Sequence, residues 1–273
     1  MGPRILRDRS QDNARGSKTS LFLDRKYRVS MASPRDMDIE VGEAISAFKS
    51  GRPVMIYDSD YREMETDLLW HAAAATPEVI RRLRNDCGGL LFLAIGNEIG
   101  EMFGLPWLQD IHSHKSLVEE NPVLGHLVTN DLQYDSRSAF TLSLNHRETY
   151  TGITDRDRSL TTRRFGELSG ELIEKGEDGA RAKERLGEEF RTPGHIPVCR
   201  ESPGGLKTRQ GHTELAVSIA RLAGLAACTI GAEMLEPDGD GALSLEGART
   251  YAKRHEIPMI TGEQISTIFN EKD

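Results

Sequence analysis

The sequence predicts an α+β fold in a single compact domain. Short apolar, strand-like runs alternate with amphipathic helical stretches, Gly, Pro and capping residues separate them, and no internal repeat of solenoid length is present. The chain of 273 residues, 37% of them hydrophobic, is long enough to bury a large core.

Each element rests on its own pattern. Ile39, Ala44, Ile45 and Phe48 share a helical face that stops at Gly51. PVMIYD (53–58) is a buried strand ending in polar residues. Thr76, Pro77 and Glu78 form a helix start of N-cap, first-turn proline and acid. Gly88 and Gly89 lead into a second buried strand, LLFLAIG. SAFTLSLNH (138–146) alternates as a strand does, and DRDRSLTTRRFGEL follows as a helix. The charged stretch 169–190 reads as an exposed connection with a helical piece. TPGHIPVCRESPGG (192–205) reads as a rigid loop presenting His195. HTELAVSIARLAGL is an amphipathic helix with Leu215, Ile219 and Leu222 on one side. AACTIGAEML is then a strand, LEGARTYAKRHE a helix, and IPMITGEQI a strand running into a helix.

Charge and composition exclude several classes. Residues 1–36 carry nine Lys/Arg against four Asp/Glu and no sustained apolar period, which predicts a flexible basic N-terminal extension ahead of a catalytic domain over 37–273. That leaves the remainder at −13 of the net −8, so nucleic-acid binding by the folded part has no support. No run approaches the roughly 18 apolar residues of a membrane helix, and the N-terminus lacks a signal-peptide apolar region. Three scattered cysteines, Cys87, Cys199 and Cys228, argue against a disulfide framework and fit a cytoplasmic protein.

Two polar clusters stand out. Asp58 to Asp67 packs five carboxylates and Arg62 into ten residues after a strand. If that segment is extended, Glu63, Glu65 and Asp67 point one way and require a cation among them, Arg62, a metal ion, or both. The same composition also fits a solvated acidic turn. Arg209-Gln210-Gly211-His212-Thr213 opens a helix, where backbone N–H groups and the arginine suit an anion such as phosphate; Thr213 serving only as a cap is the plainer alternative. TGITDRDR (151–158), with Thr151 at its head, is a further polar helix start.

Together these segments resemble one family. REMETD (62–67), TGITDRDR (151–158), PGH (193–195), RQGHTE (209–214) and the AEML segment around Glu233 match motifs of 3,4-dihydroxy-2-butanone-4-phosphate synthase in the family's order, over roughly residues 40 to 265. The match looks most like the archaeal, single-domain branch. The resemblance implies a mixed β-sheet with surrounding helices. It also implies an enzyme of riboflavin biosynthesis that converts ribulose 5-phosphate to dihydroxybutanone phosphate and formate as a homodimer. Glu63 and His212 would be ligands of Mg²⁺ or Mn²⁺, with no organic cofactor. Arg62, Glu63, Asp67, Thr151, Arg209, Gln210, Gly211, His212 and Thr213 would bind substrate. His195, Glu233, Glu65 and Asp58 would be catalytic. One position departs from the pattern: Gly88-Gly89-Leu90-Leu91-Phe92 ends in Phe92 where the family carries an active-site cysteine. That departure keeps open an alternative, a non-catalytic or repurposed relative that binds a ketose phosphate.

Overall fold

The computed structural model describes residues 34–271 except 130, 134 and 178, and from Asp38 on they group as one unit. The extension expected over 1–36 lies outside the described residues, apart from residues 34–36 at the start of α1 (Pro34–Lys49).

Among the described residues seven strands build one sheet: β1 (Val54–Tyr57), β2 (Thr66–His71), β3 (Phe92–Ile95), β4 (Phe140–His146), β5 (Phe190–Arg200), β6 (Cys228–Glu233) and β7 (Met259–Thr261). Their order is β4-β5-β3-β6-β2-β1-β7. The β3–β5 and β1–β7 pairs are parallel and the other four antiparallel, so the sheet is mixed, as the resemblance implied. β1, β2 and β3 are buried along their whole length, which is why β1 and β3 read as continuous apolar runs; β2, with Thr66, Asp67 and His71 in it, showed no such run in the sequence.

The helices follow from local signals. Thr76 caps α2 (Pro77–Asp86), its hydroxyl accepting from Val79 N–H. Short helices α3 (Asn97–Phe103), α4 (Leu108–His112), α5 (Lys115–Glu120) and α6 (Leu124–Leu127) fill a stretch in which periodicity showed none. Thr154 caps α7 (Asp155–Lys175), which buries Phe165, Leu168 and Leu172. α9 (His212–Leu222), after α8 (Gly179–Glu189), buries every residue from Thr213 to Ala220. It packs on the sheet at β6, where the Thr229 hydroxyl donates to Ala216 O. Because side chains alternate along a strand, Gly231 and Glu233 face α9 as Thr229 does. α10 (Leu245–Arg254) and α11 (Gly262–Glu271) close the chain.

Three expectations need correction. Residues 63–65 are not extended: β2 begins only at Thr66, and Met64 adopts φ 56°. The cause is Asp58, whose carboxylate accepts the N–H groups of Glu63 (2.9 Å) and Glu65 (3.0 Å) and curls the segment around itself. The stretch 169–190 is the end of α7 and all of α8, with Leu172 and Ala182 buried. Its charges form a ladder in which Arg164 and Arg185 both pair with Glu171 and Glu189. Residues 190–200 are a strand rather than a loop, and the pairing with β4 shifts register on either side of Ser143–Leu144, which accommodates Pro193 and Pro197.

Candidate active site

A cavity of about 360 Å³ opens where the acidic loop, the end of β6 and the start of α9 meet. Glu63, Glu65, Phe92, Arg209, His212, Thr213 and Glu233 line it. Asp58, 3% exposed, lies just beneath and holds the loop as described above.

His212 is the hub. Its Nδ1 sits 2.8 Å from Asp67 Oδ2, and Asp67 is itself 2% exposed on β2. Its Nε2 faces Glu63 Oε2 at 2.6 Å, Glu65 Oε2 at 3.7 Å and Asp58 Oδ2 at 3.9 Å. Nε2 is buried, and despite the closeness of Glu63 it makes no hydrogen bond of good geometry among the described residues. Burial alone would lower the imidazole pKa, but Asp67 and Glu63 outweigh it and hold it well above 6.5. Glu63 is lowered in turn, first by His212. Ligand atoms of Asp58, Glu63 and His212 lie within 4.8 Å of one another. A ring nitrogen without an aligned hydrogen bond, facing carboxylate oxygens and with a second carboxylate behind the ring, fits a hard divalent cation: Asp67 would fix the tautomer and Nε2 would be the ligand atom. Asp58 joins this group, in addition to the two ligands implied from sequence.

Glu233 ends β6 directly opposite Asp67. Burial, then the Asp67 charge, raises its carboxyl from 4.5 to about 7. Its Oε2 accepts Leu90 N–H at 2.7 Å, and a Cβ on Gly89 would meet the Glu233 carbonyl oxygen at 2.6 Å, a backbone atom that cannot swing away as a side-chain end can. Burial also raises Glu65.

On another wall, Arg209 folds back over the start of α9, where a Cβ on Gly211 would meet its guanidinium at 2.3 Å. Arg209 pairs with fully buried Glu214 (2.5 Å) and with Asp135 (2.8 Å), which also reaches Arg62 (3.4 Å). Glu214 is raised by burial, and Arg209 is raised by these acids despite its own burial.

Other predicted residues stand elsewhere. His195 N–H donates to Asn145 Oδ1 at 2.8 Å, and its Nδ1 is 3.1 Å from the same amide. Thr151 is tethered to Asp157, which accepts the Thr151 and Gly152 N–H groups. Neither His195 nor Thr151 lines the cavity; along β5, His195 is four residues, about 13 Å, from cavity-lining Cys199. Gln210 faces a separate cavity of about 370 Å³, with Glu201 and Arg221. Asp135, Asn145 and Cys199 were missed in sequence. No motif marks them, because only folding brings them near the others. Cys87, five residues before Phe92, is buried and does not line the cavity.

A family model for 3,4-dihydroxy-2-butanone 4-phosphate synthase matches residues 42–268. The 3,4-dihydroxy-2-butanone 4-phosphate synthase of Methanothermobacter thermautotrophicus is 37% identical over 85% of this chain and 97% of its own. The solved synthase of Candida albicans, 27% identical, superposes with TM-score 0.62 over 84% of this chain and 96% of that one. A synthase solved in complex with two magnesium ions, 24% identical, shares the fold at TM-score 0.63 over 85% and 96%.

Proposed function

The chain belongs to the 3,4-dihydroxy-2-butanone 4-phosphate synthase family of riboflavin biosynthesis, and we propose that it converts ribulose 5-phosphate to dihydroxybutanone phosphate and formate. The observation that carries this reading is the His212 hub, where Asp67, Glu63, Glu65 and Asp58 surround one imidazole beside an arginine-lined helix start.

Asp58, Glu63 and His212 would hold Mg²⁺ or Mn²⁺. A divalent cation bound there supplies positive charge that polarises the carbonyl and hydroxyl oxygens of a polyol. The protein does the rest. Arg209, Thr213 and the N-terminal N–H groups of α9 receive the phosphate, with Arg62 beside them. Glu233, titrating near neutrality, is suited both to accept a proton during enolisation and to return one as water leaves C1. Glu65, raised by burial, is a second acid–base group with a different environment. After the carbon skeleton rearranges, a water adds to the migrated C4 carbonyl and its carbon–carbon bond breaks to release formate, so the water lost from C1 is made up and ribulose 5-phosphate divides into dihydroxybutanone phosphate and formate.

His195 and Thr151 enter through a second subunit in this reading. They stand away from their own cavity beside exposed Tyr150 and Ile153, a surface suited to meeting the cavity of a partner copy. Three free, buried cysteines accord with a cytoplasmic setting, and no helix among the described residues is long and apolar enough to cross a membrane.

A second reading rests on Phe92, which lines the cavity where the family's cysteine was expected: a relative that binds a ketose phosphate without releasing formate. The deciding experiment is formate release from ribulose 5-phosphate with Mg²⁺ and with EDTA. Metal-dependent formate supports the synthase; ribulose 5-phosphate binding without formate supports the second reading.

A further inference from the structure

Asp135 occupies an unusual place. One oxygen, Oδ2, lies between two guanidinium groups, 2.8 Å from Arg209 Nη2 and 3.4 Å from Arg62 Nη2. The Asp135 side chain is 15% exposed although its neighbours Asp131, Leu132, Gln133 and Ser136 are all exposed. Leu132, Gln133, Arg137 and Ser138 of the same segment also border the cavity, and Asp135 is its carboxylate that meets both guanidinium groups. Among the described residues its backbone is tied at one end, where Ser138 N–H donates to Gln109 Oε1 at 3.3 Å.

Asp135 supplies part of the negative charge that faces these guanidinium groups; both also act on Glu63, and Arg137 lines the same cavity. Arg62 and Arg209 face Asp135 and Glu214, and Glu214 cannot leave: it is fully buried, bonded to Arg209 Nη1 and to Ser202 N–H. A phosphate dianion added to this set would meet two resident carboxylates a few ångströms away, with Glu63 and Glu65 across the cavity. At such distances like charges repel strongly in a partly buried site. Arg209 Nε is buried without a hydrogen-bond partner among the described residues, so the guanidinium retains a donor that Asp135 does not use.

We propose that Asp135 is an internal stand-in for the substrate's phosphate: it holds the Arg62–Arg209 pair in the ligand-free chain and is expelled by the incoming dianion. The inference rests on the reading of Arg209 and the α9 start as the phosphate subsite. Asp135 thereby sets the affinity threshold of the site. A monoanion offers the arginines no more charge than the tethered carboxylate already supplies, and the carboxylate is present at high effective concentration. A phosphate dianion brings a second charge and more acceptor oxygens, which suffice to displace it.

The test is calorimetric titration of the full chain with inorganic phosphate. If Asp135 fills the subsite at least nine-tenths of the time, Asp135→Asn tightens phosphate binding by about tenfold or more, because the competent fraction rises toward one. Asp135→Glu, which keeps the charge, stays within a few-fold of the parent. In an Arg209→Ala background the gain from Asp135→Asn disappears. Unchanged or weaker phosphate binding in Asp135→Asn, or an equal gain without Arg209, overturns the proposal. The readout is independent of turnover, so a chain that released no formate but showed the tenfold gain would refute the synthase reading and leave this one standing.

Discussion

Replacing Glu233 with Gln tests the electrostatics of the site through stability. The amide keeps the size of the side chain and an oxygen to accept Leu90 N–H, but it cannot ionise. In the folded chain the carboxyl is raised from 4.5 to about 7, chiefly by burial and then by Asp67. Between those values the native state therefore binds more protons than the unfolded state, and stability falls as pH rises. The contribution of the protonated acid is fully present below about pH 4.5 and lost as pH passes about 7. Each tenfold change in proton affinity is worth about 1.4 kcal/mol, so the gap between the parent and Glu233→Gln should change by about 3 kcal/mol across that window, in favour of the variant at high pH. Urea unfolding of both proteins at a series of pH values, with EDTA present, measures it. Comparing the two removes the contribution of groups that titrate alike in both. A gap that stays constant from about pH 4.5 to about pH 8.5 would refute the reasoning and show that Glu233 is solvated or paired more favourably than its position implies.

Asp67→Asn removes the carboxylate behind His212 and should weaken Mn²⁺ binding about 10- to 100-fold with the fold retained, read by calorimetry and circular dichroism; undiminished affinity would exclude Asp67 as the group that orients the ring. Arg209→Ala deletes a charge-assisted contact worth about 1.5–3 kcal/mol and should raise KM for ribulose 5-phosphate about tenfold or more, while the melting temperature falls because fully buried Glu214 loses its guanidinium partner and is left with backbone N–H donors such as Ser202. An unaltered KM would count against the phosphate role. Gly194→Ala places a Cβ 1.9 Å from the Leu144 carbonyl carbon and 2.2 Å from its oxygen, so β4 and β5 must part. A stability loss of about 1–3 kcal/mol is expected, and parental stability in urea would show that the strands yield freely.

Much of the fold was legible because the signals were local. Thr76 and Thr154 cap their helices through hydrogen bonds three residues long, and the apolar runs at β1 and β3 are buried end to end. The misreadings occurred where a long-range or side-chain bond overrode the local pattern. The Asp58 carboxylate curls 63–65 out of the extended form, and pairing with β4 draws the proline-rich segment at 190–200 into the sheet. Helices α3 to α6 are four to seven residues long, too short for a period of 3.6 to repeat visibly.

By itself, the sequence determined the element types with strong caps or periods, the acidic body of the chain, and the motifs that carry the family resemblance, because each depends on residues close together along the chain. Only the tertiary structure decided that Asp67 stands behind His212 while Glu63 stands before it, and that Glu233 lies opposite Asp67. The antiparallel register of β2 and β6 and the start of α9 place those groups. The structure alone also separated His195 and Thr151 from the cavity and brought Asp135 between two arginines from distant segments. Such choices depend on packing between segments far apart in the chain, 145 residues for Asp67 and His212 and more for Asp67 and Glu233, and no window of local sequence records which of many chemically equal carboxylates will meet a given ring.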